Sequence, residues 1–306
     1  MIARRYEQRL SDAELLARLS NMTMILSAPR SGSTLLFDLL ARTPGALTIG
    51  GESHVVYRQF PQLAAENVAF DSGMLDARHA DPATIRQFRC AFLAMLRDDT
   101  GRLLYDLPDR QAVGRPIIEK TPRNALALPF LEAVFPAARF VFLYRHPADV
   151  IASLIEGWET GLRTGQFVTY RHLPGWDRAA WCFALPRGWR TLRGRSLAEI
   201  AAFQWDACNR AIVDRVRAAP DAAQAISYAE LVADPAATMS RLGAWLGLGA
   251  AGERWRAKPL PISASTVSPP APDKWLARRQ EVSAVLEPMM PLWHEIEAWR
   301  RATLAG

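Results

Sequence analysis

Lysine is almost missing from this chain. Of 37 Lys and Arg residues only Lys120, Lys258 and Lys274 are lysines, so positive charge is written as arginine. Coding bias accounts for most of that, because composition is a weak guide to chemistry. The corollary is that each lysine is worth checking by position. Cysteine is scarce as well: Cys90, Cys182 and Cys208 are odd in number and far apart. They match neither a zinc spacing nor a disulfide framework, which predicts a reduced, cytoplasmic setting. The five histidines, His54, His79, His146, His172 and His294, form no metal-ligand pair, so no metal is expected. No apolar run approaches the ~20 residues of a membrane span. The first twenty residues lack an apolar h-region and read as an amphipathic helix, so neither a signal peptide nor a membrane anchor is expected.

What is present is a folded chain. Its 306 residues are 50% hydrophobic and 22% charged, too apolar for disorder and enough for a substantial core. A net charge of +6 and a pI near 9.6 point to an anionic partner. The basic residues are scattered, without a Lys/Arg tract or an aromatic-basic RNA motif, so nucleic acid is not the expected partner.

Periodicity gives strands alternating with helices. Met22–Ser27, Ala46–Ile49, Pro116–Glu119, Arg139–Tyr144 and Gln224–Tyr228 read as strands. Helices are expected over 33–42, 82–98, 123–134, from Pro147, over 196–218 and over 235–246. That alternation predicts an α/β fold with a parallel central sheet flanked by helices. The expected organisation is one domain over 1–306. It has a core of about 22–275, an N-terminal helix over 1–20, and a C-terminal loop and helix over 259–306. Two stretches break the rhythm. Gly157–Arg195 holds Trp158, Trp176, Trp181 and Trp189; it reads as a lid or acceptor-binding insertion, although any one tryptophan more readily packs in a core. Pro259–Pro272 is a loop rich in Pro and Ser, followed by Asp273-Lys274-Trp275.

The strongest local signal is Ser27-Ala28-Pro29-Arg30-Ser31-Gly32-Ser33-Thr34-Leu35, between a buried strand and a helix. In that context backbone N–H groups and a helix N-terminus converge on an anion, with Arg30 supplying charge and the hydroxyls further donors. The bland alternative is a βα turn with a Ser cap. The loop is not a Walker A motif, because Gly32 is followed by Ser33 and not Lys. A P-loop kinase or NTPase is therefore the runner-up reading, and a non-catalytic anion- or nucleic-acid-binding protein the third.

Pro29-Arg30-Ser31-Gly32-Ser33-Thr34-Leu35 resembles the 5′-phosphosulfate loop of sulfotransferases that use 3′-phosphoadenosine 5′-phosphosulfate (PAPS). Tyr144-Arg145-His146-Pro147 with Ser153, eight residues after Arg145, is similar to that family's 3′-phosphate motif. The second segment alone is weak; the two in order, each at a strand-to-helix junction, are strong together. The resemblance implies a P-loop-like sulfotransferase fold with helical and loop insertions, nearest in motifs to the protein-tyrosine and heparan-type enzymes and their bacterial relatives. It implies PAPS as co-substrate, 3′,5′-ADP as product, no obligatory metal, and transfer of a sulfonate to an acceptor hydroxyl.

On that resemblance the catalytic residues are Glu52, Lys120, Arg30 and His54. Lys120 in Glu119-Lys120-Thr121-Pro122 resembles the Lys-x-Pro segment whose lysine acts on the leaving group. Glu52 in Gly50-Gly51-Glu52-Ser53-His54 resembles the acceptor-deprotonating glutamate, its pKa expected to rise in a dry cleft. His54 is a rival, since imidazole titrates near neutrality. The cofactor-binding residues are Arg30, Ser31, Gly32, Ser33, Thr34, Arg145, Ser153, Tyr228, Ser265, Thr266 and Lys274. Tyr228 sits in a last-strand Tyr-x-x-Leu segment, and Ser265, Thr266 and Lys274 in the segment that closes over the nucleotide. Trp205 and Asn209 share a helix face and read as core. Peptide tyrosine, sugar, lipid and polyketide-type alcohols all stay open as acceptors, selected by the Gly157–Arg195 and Tyr57–Arg78 segments. Oligomeric state stays open too.

Overall fold

A computed structural model describes residues 1–68, 70–108, 111–248, 260–263 and 266–305. Lys258 and Ser265 fall outside the described residues. The chain opens with α1 (Ile2–Arg9) and α2 (Asp12–Leu19), where a single helix was expected. Ser11 divides them: its hydroxyl accepts from the Glu14 amide while the Glu14 carboxylate accepts from the Ser11 amide, a reciprocal box that starts a new helix.

Next come β1 (Met22–Leu26), α3 (Ser33–Leu40), the single turn α4 (His54–Tyr57), α5 (Pro82–Leu93), β2 (Ile117–Lys120), α6 (Leu128–Val134), β3 (Arg139–Tyr144) and α7 (Pro147–Thr164). A hairpin of β4 (Val168–Arg171) and β5 (Ala180–Cys182) follows. The chain closes with α8 (Leu197–Ala218), β6 (Ala223–Ser227), α9 (Tyr228–Ala233), α10 (Pro235–Leu246), α11 (Arg279–Leu286) and α12 (Met290–Ala305).

Among the described residues β2, β1, β3 and β6 pair in that order, all parallel. Strands of a parallel sheet are buried on both faces, which is why Met22–Leu26 and Phe140–Tyr144 read as continuous apolar runs. Alternate side chains divide between two cores. Ile25, Ile118, Val141 and Ile226 pack with Leu36, Leu40 and Leu242 of α3 and α10. Met24, Leu26, Phe140 and Phe142 pack on the other face, where α5 to α8 and α12 contribute. The connection from β1 runs toward β2 and that from β3 toward β6, so the direction reverses between β1 and β3. A crevice opens outside the carboxyl ends of two strands at such a switch.

Three expected elements differ. Ala46–Ile49 makes only isolated bridges, Leu47 to Ile117 and Thr48 to Arg97, before Gly50 at φ 78° turns the chain away. The helix expected over 82–98 ends at Leu93, because Arg97 is drawn into extended pairing with Thr48. The helix expected over 123–134 splits into a 3-10 turn, Pro122–Leu126, and α6. Pro129 causes the split, since it lacks the N–H and crowds the carbonyl four residues back.

The tryptophan-rich stretch builds a core of its own. Trp158, Trp181 and Trp189 are fully buried and packed edge-to-face, with centroids 5.2 Å and 5.9 Å apart along the chain of contacts. Gln204 of α8 ties it down, accepting from the Trp158 indole (2.9 Å) and donating to the carbonyls of Cys182 and Ala184. Gly161 of α7 allows the hairpin to seat: a Cβ there would lie 2.7 Å from the Gln166 carbonyl oxygen and 2.5 Å from Cys182 Sγ. No helix among the described residues is long and apolar enough to cross a membrane.

Candidate active site

The crevice is a cleft of about 820 Å³, within the range of small-molecule sites. Its floor is the loop between β1 and α3. Arg30 takes φ 71° and Gly32 φ 98°, a conformation most side chains avoid. A Cβ on Gly32 would come within 2.4 Å of the Tyr228 ring, so glycine is required by space as well as by angle. No side chain caps α3. Its first amides are donors without an intrahelical partner, at the positive end of the helix dipole. Those features fit an anion.

Two arginines serve that loop, Arg30 from within it and Arg145 from the end of β3. Arg30 Nε donates to Ser153 Oγ (3.2 Å), which joins the loop after β1 to the helix after β3. Burial lowers the Arg30 pKa, Glu156 raises it and Arg145 lowers it again. Arg145 lies over the Tyr228 ring, 4.4 Å from the centroid, and reaches Asp149 at 3.4 Å. Neighbouring cations repel, so a multiply charged anion between them is the natural complement.

Lys120 ends β2 with a side chain only 6% exposed. Its ammonium donates to Glu52 Oε1 (2.6 Å) and Thr34 Oγ1 (3.2 Å), linking the first turn of α3 to the segment before α4. Glu52 Oε2 in turn lies 3.0 Å from His54 Nε2. Burial alone would raise the Glu52 pKa; the hydrogen bond from His54 and the charge and hydrogen bond of Lys120 outweigh it and hold the carboxyl at about 2. The expectation of a raised pKa at Glu52 is therefore overturned, because its two basic neighbours stabilise the anion more than desolvation destabilises it.

A buried network holds this segment in place. Glu119 is wholly buried, with burial raising its pKa and hydrogen bonds opposing the rise. It accepts from Thr121 Oγ1 (2.7 Å) and Asn124 Nδ2 (2.8 Å). Thr121 Oγ1 accepts the Ser53 amide (2.7 Å), and Tyr57 donates to Asn124 Oδ1 (3.1 Å). Glu52 and His54 are thus tied through Ser53 to the strand end that carries Lys120.

A model described as "Sulfotransferase family" matches residues 23–251, three quarters of the chain. The chain belongs to the sulfotransferase family. It is 35% identical over 140 residues to Nodulation protein NoeE of Sinorhizobium fredii (strain NBRC 101917 / NGR234), a match covering 44% of this chain and 31% of that protein. The matched stretch is thus about a third of its relative's length. Among solved structures, sulfotransferase STF9 from Mycobacterium avium is similar in fold: TM-score 0.51, 17% identity, covering 96% of this chain and 80% of that one. The sulfotransferase domain of the Synechococcus PCC 7002 olefin synthase is 21% identical, covers 88% of this chain and 94% of that one, and has a TM-score of 0.46.

The sulfotransferase brings most of the sequence-predicted residues to one cleft. Arg30, Gly32, Ser33, Thr34, Glu52, His54, Arg145, Ser153, Tyr228, Thr266 and Lys274 all line it, and Lys120 reaches its edge through Glu52 and Thr34. Ser31 does not: its hydroxyl is buried away from the lining, without a protein partner. Lys274 faces the cleft but bonds Glu156 at 3.0 Å, so its charge is already matched within the protein. Trp205 and Asn209 are buried and packed, with Asn209 bonded to the Trp205 carbonyl. Among the described residues of the Tyr57–Arg78 segment only Gly73 lines the cleft, and Tyr57 points into the buried network.

Sequence reasoning missed Glu156, one helical turn after Ser153 on the same face of α7, a spacing that does signal it. It also missed Phe167 and Phe183, which reach the cleft from the hairpin while the neighbouring tryptophans turn inward. The insertion both packs and lines the site.

Proposed function

We propose that this sulfotransferase, acting as one domain, moves a sulfonate from PAPS to the hydroxyl of an acceptor. The observation that carries the reading is the convergence of Arg30, Arg145 and Lys120, from three different strand ends, beside an uncapped helix N-terminus. PAPS carries a phosphosulfate and a 3′-phosphate, and sulfonyl transfer asks for alignment and charge neutralisation more than for covalent help. Arg30 and the α3 amides suit the phosphosulfate; Arg145 and Ser153 suit the 3′-phosphate, through a guanidinium fork and a hydroxyl. Cation and dipole supply the neutralisation that a metal gives other phosphate chemistries.

In the transfer step the acceptor oxygen bonds to sulfur as the bond from sulfur to the 5′-phosphate oxygen breaks. The electron pair leaves on 3′,5′-ADP, where Lys120 offsets the charge, and the acceptor proton passes to Glu52 or His54. Lys120 and Glu52 begin in contact, so a lysine drawn to the leaving oxygen also withdraws from Glu52. Losing that partner raises the Glu52 pKa, making it a better base when donor is bound. The three cysteines are buried and free, which suits a reducing cytoplasm.

The test is thermal stabilisation by 3′,5′-ADP, followed by transfer from labelled PAPS to an acceptor panel. Binding to 3′,5′-ADP at micromolar levels with no such preference for ATP–Mg²⁺ is expected. Preference for ATP–Mg²⁺ would return the protein to the kinase reading.

A further inference from the structure

The cations around the cleft are mostly matched within the protein. Arg145 has Asp149, Lys274 has Glu156, Arg278 has Glu159, and Arg30 bonds Ser153. Arg123 differs. It lines the same cleft, yet among the described residues no hydrogen bond or ion pair engages it; its guanidinium lies over the Tyr57 ring, 5.0 Å from the centroid. It follows Pro122 at the end of β2, beside the network that holds Glu52 and His54. Its charge also reaches Tyr170 of β4, opposing the rise that burial gives that phenol. Arg123 therefore stands between α4 and the hairpin.

The hairpin adds an aromatic wall. Phe167 and Phe183 stack with centroids 5.1 Å apart and planes 25° from parallel, and both line the cleft. Each has a positive φ, 65° and 63°, unfavourable for a side-chain-bearing residue. The scaffold enforces it: the Phe183 amide donates to the Phe167 carbonyl (3.0 Å), and Thr169 Oγ1 donates to the Phe183 carbonyl (2.7 Å). Gly157 leaves room for the Phe183 ring, which a Cβ would meet at 2.5 Å. Phe167 is also 5.1 Å from the Arg30 guanidinium, so the wall begins beside the anion loop. Strain of this kind persists where the surroundings over-determine it, and it clusters at ligand sites.

We infer that the acceptor is an aromatic alcohol carrying a carboxylate. Its ring lies against Phe167, its carboxylate on Arg123, and its hydroxyl at Glu52 and His54. An unpaired guanidinium fork matches a carboxylate bidentately, and a flat aromatic face favours a ring over a puckered sugar. Leu126, Val168 and Leu185 complete that side, and they offer nothing to the many hydroxyls of a sugar. The inference rests on the sulfotransfer reading above.

The test uses the full chain, labelled PAPS and three acceptors of similar length: 3-(4-hydroxyphenyl)propanoate, its methyl ester, and an aliphatic hydroxy acid. The aromatic acid should exceed each of the others about tenfold or more in kcat/KM, the scale of one charge-assisted pair. Arg123→Gln should raise KM for the acid by about that factor, leaving the ester and kcat unchanged. Phe167→Leu should erase the preference for aromatic over aliphatic acid. Equal use of acid and ester overturns the inference, as does an Arg123→Gln loss shared equally by both. If none of the three is sulfated, binding of the aromatic acid beside 3′,5′-ADP decides: Arg123-dependent binding supports the inference and no binding overturns it. Failure of 3′,5′-ADP to stabilise the wild-type protein is a separate result, which removes the donor reading and this inference together.

Discussion

The half of the cleft around Arg30 and Arg145 is made by loops that leave adjacent strands, β1 and β3, so its geometry follows from the parallel sheet itself. The half around Phe167 and Arg123 is made by the β4–β5 hairpin and the end of β2, which the sheet does not join. The first half carries its charges in short motifs. The second depends on a satellite core of tryptophans, on Gly157 and Gly161 of α7, and on the Glu119 network. A site of the first kind tolerates drift elsewhere in the chain, whereas the second can be lost by loosening a core that touches no substrate.

Four changes separate the two halves. The largest effect is expected at their junction: Lys120→Ala should reduce turnover by roughly 100-fold or more while keeping 3′,5′-ADP affinity within about tenfold, as for a contact made mainly in the transition state. Single-turnover transfer from PAPS measures it, and unchanged turnover would remove Lys120 from the chemistry. Arg145→Ala should weaken 3′,5′-ADP binding by roughly 10- to 100-fold, the cost of a charge-assisted contact, without moving the acceptor KM. Calorimetry reads the first and steady-state kinetics the second; an acceptor effect as large as the nucleotide effect would erase the division.

Gly161→Ala tests the opposite half. The new Cβ meets a backbone carbonyl and Cys182 Sγ, so overpacking of about 1–3 kcal/mol is expected, with a lower Tm and a higher acceptor KM. Nucleotide affinity in the folded variant should stay put. If it falls in parallel, the hairpin supports the whole cleft and the comparison fails.

The smallest effect concerns Glu52. Its folded pKa is held at about 2, below the ordinary 4.5, so its contribution to stability is complete above the ordinary value. That contribution is lost as pH falls from about 4.5 toward about 2. The urea midpoints of wild type and Glu52→Gln should differ most above about pH 5 and converge in acid. Partial exposure of the pair keeps the gap small. A gap that widens in acid would show that Lys120 does not hold the carboxylate. With His54→Gln beside Glu52→Gln, an acidic limb of kcat/KM that disappears in the first but not in the second would give the base role to His54.

Much of the first half was legible because strand, loop and helix are adjacent in sequence. Arg30 to Thr34 and Arg145 to Ser153 each span a single junction, and the hydrophobic run before each one announces the strand. Lys120 was legible for a different reason: lysine is so rare here that its position stood out. The fate of Glu52 was not legible. Its pKa depends on Lys120, 68 residues away, and on which of two opposing effects is larger. Lys274 shows the same limit, because its partner Glu156 lies 118 residues back on α7. Phe167 and Phe183 were hidden among tryptophans of equal apolarity. Composition cannot tell which aromatic turns into the core and which is held at positive φ facing the cleft.

From its order of strands, glycines and arginines the chain by itself determined the parallel sheet, the left-handed loop between β1 and α3, and the basic junction after β3, since local periodicity and turn chemistry act over a few residues. Tertiary structure alone decided which cations are matched, how far Glu52 is acidified, and which aromatics face the cleft. Those depend on distances of a few ångströms between residues tens to more than a hundred positions apart. The lysine scarcity resolves in the same way. The sequence marked Lys120 and Lys274 as unusual, and the fold gave each a carboxylate from a distant segment, Glu52 to the first and Glu156 to the second.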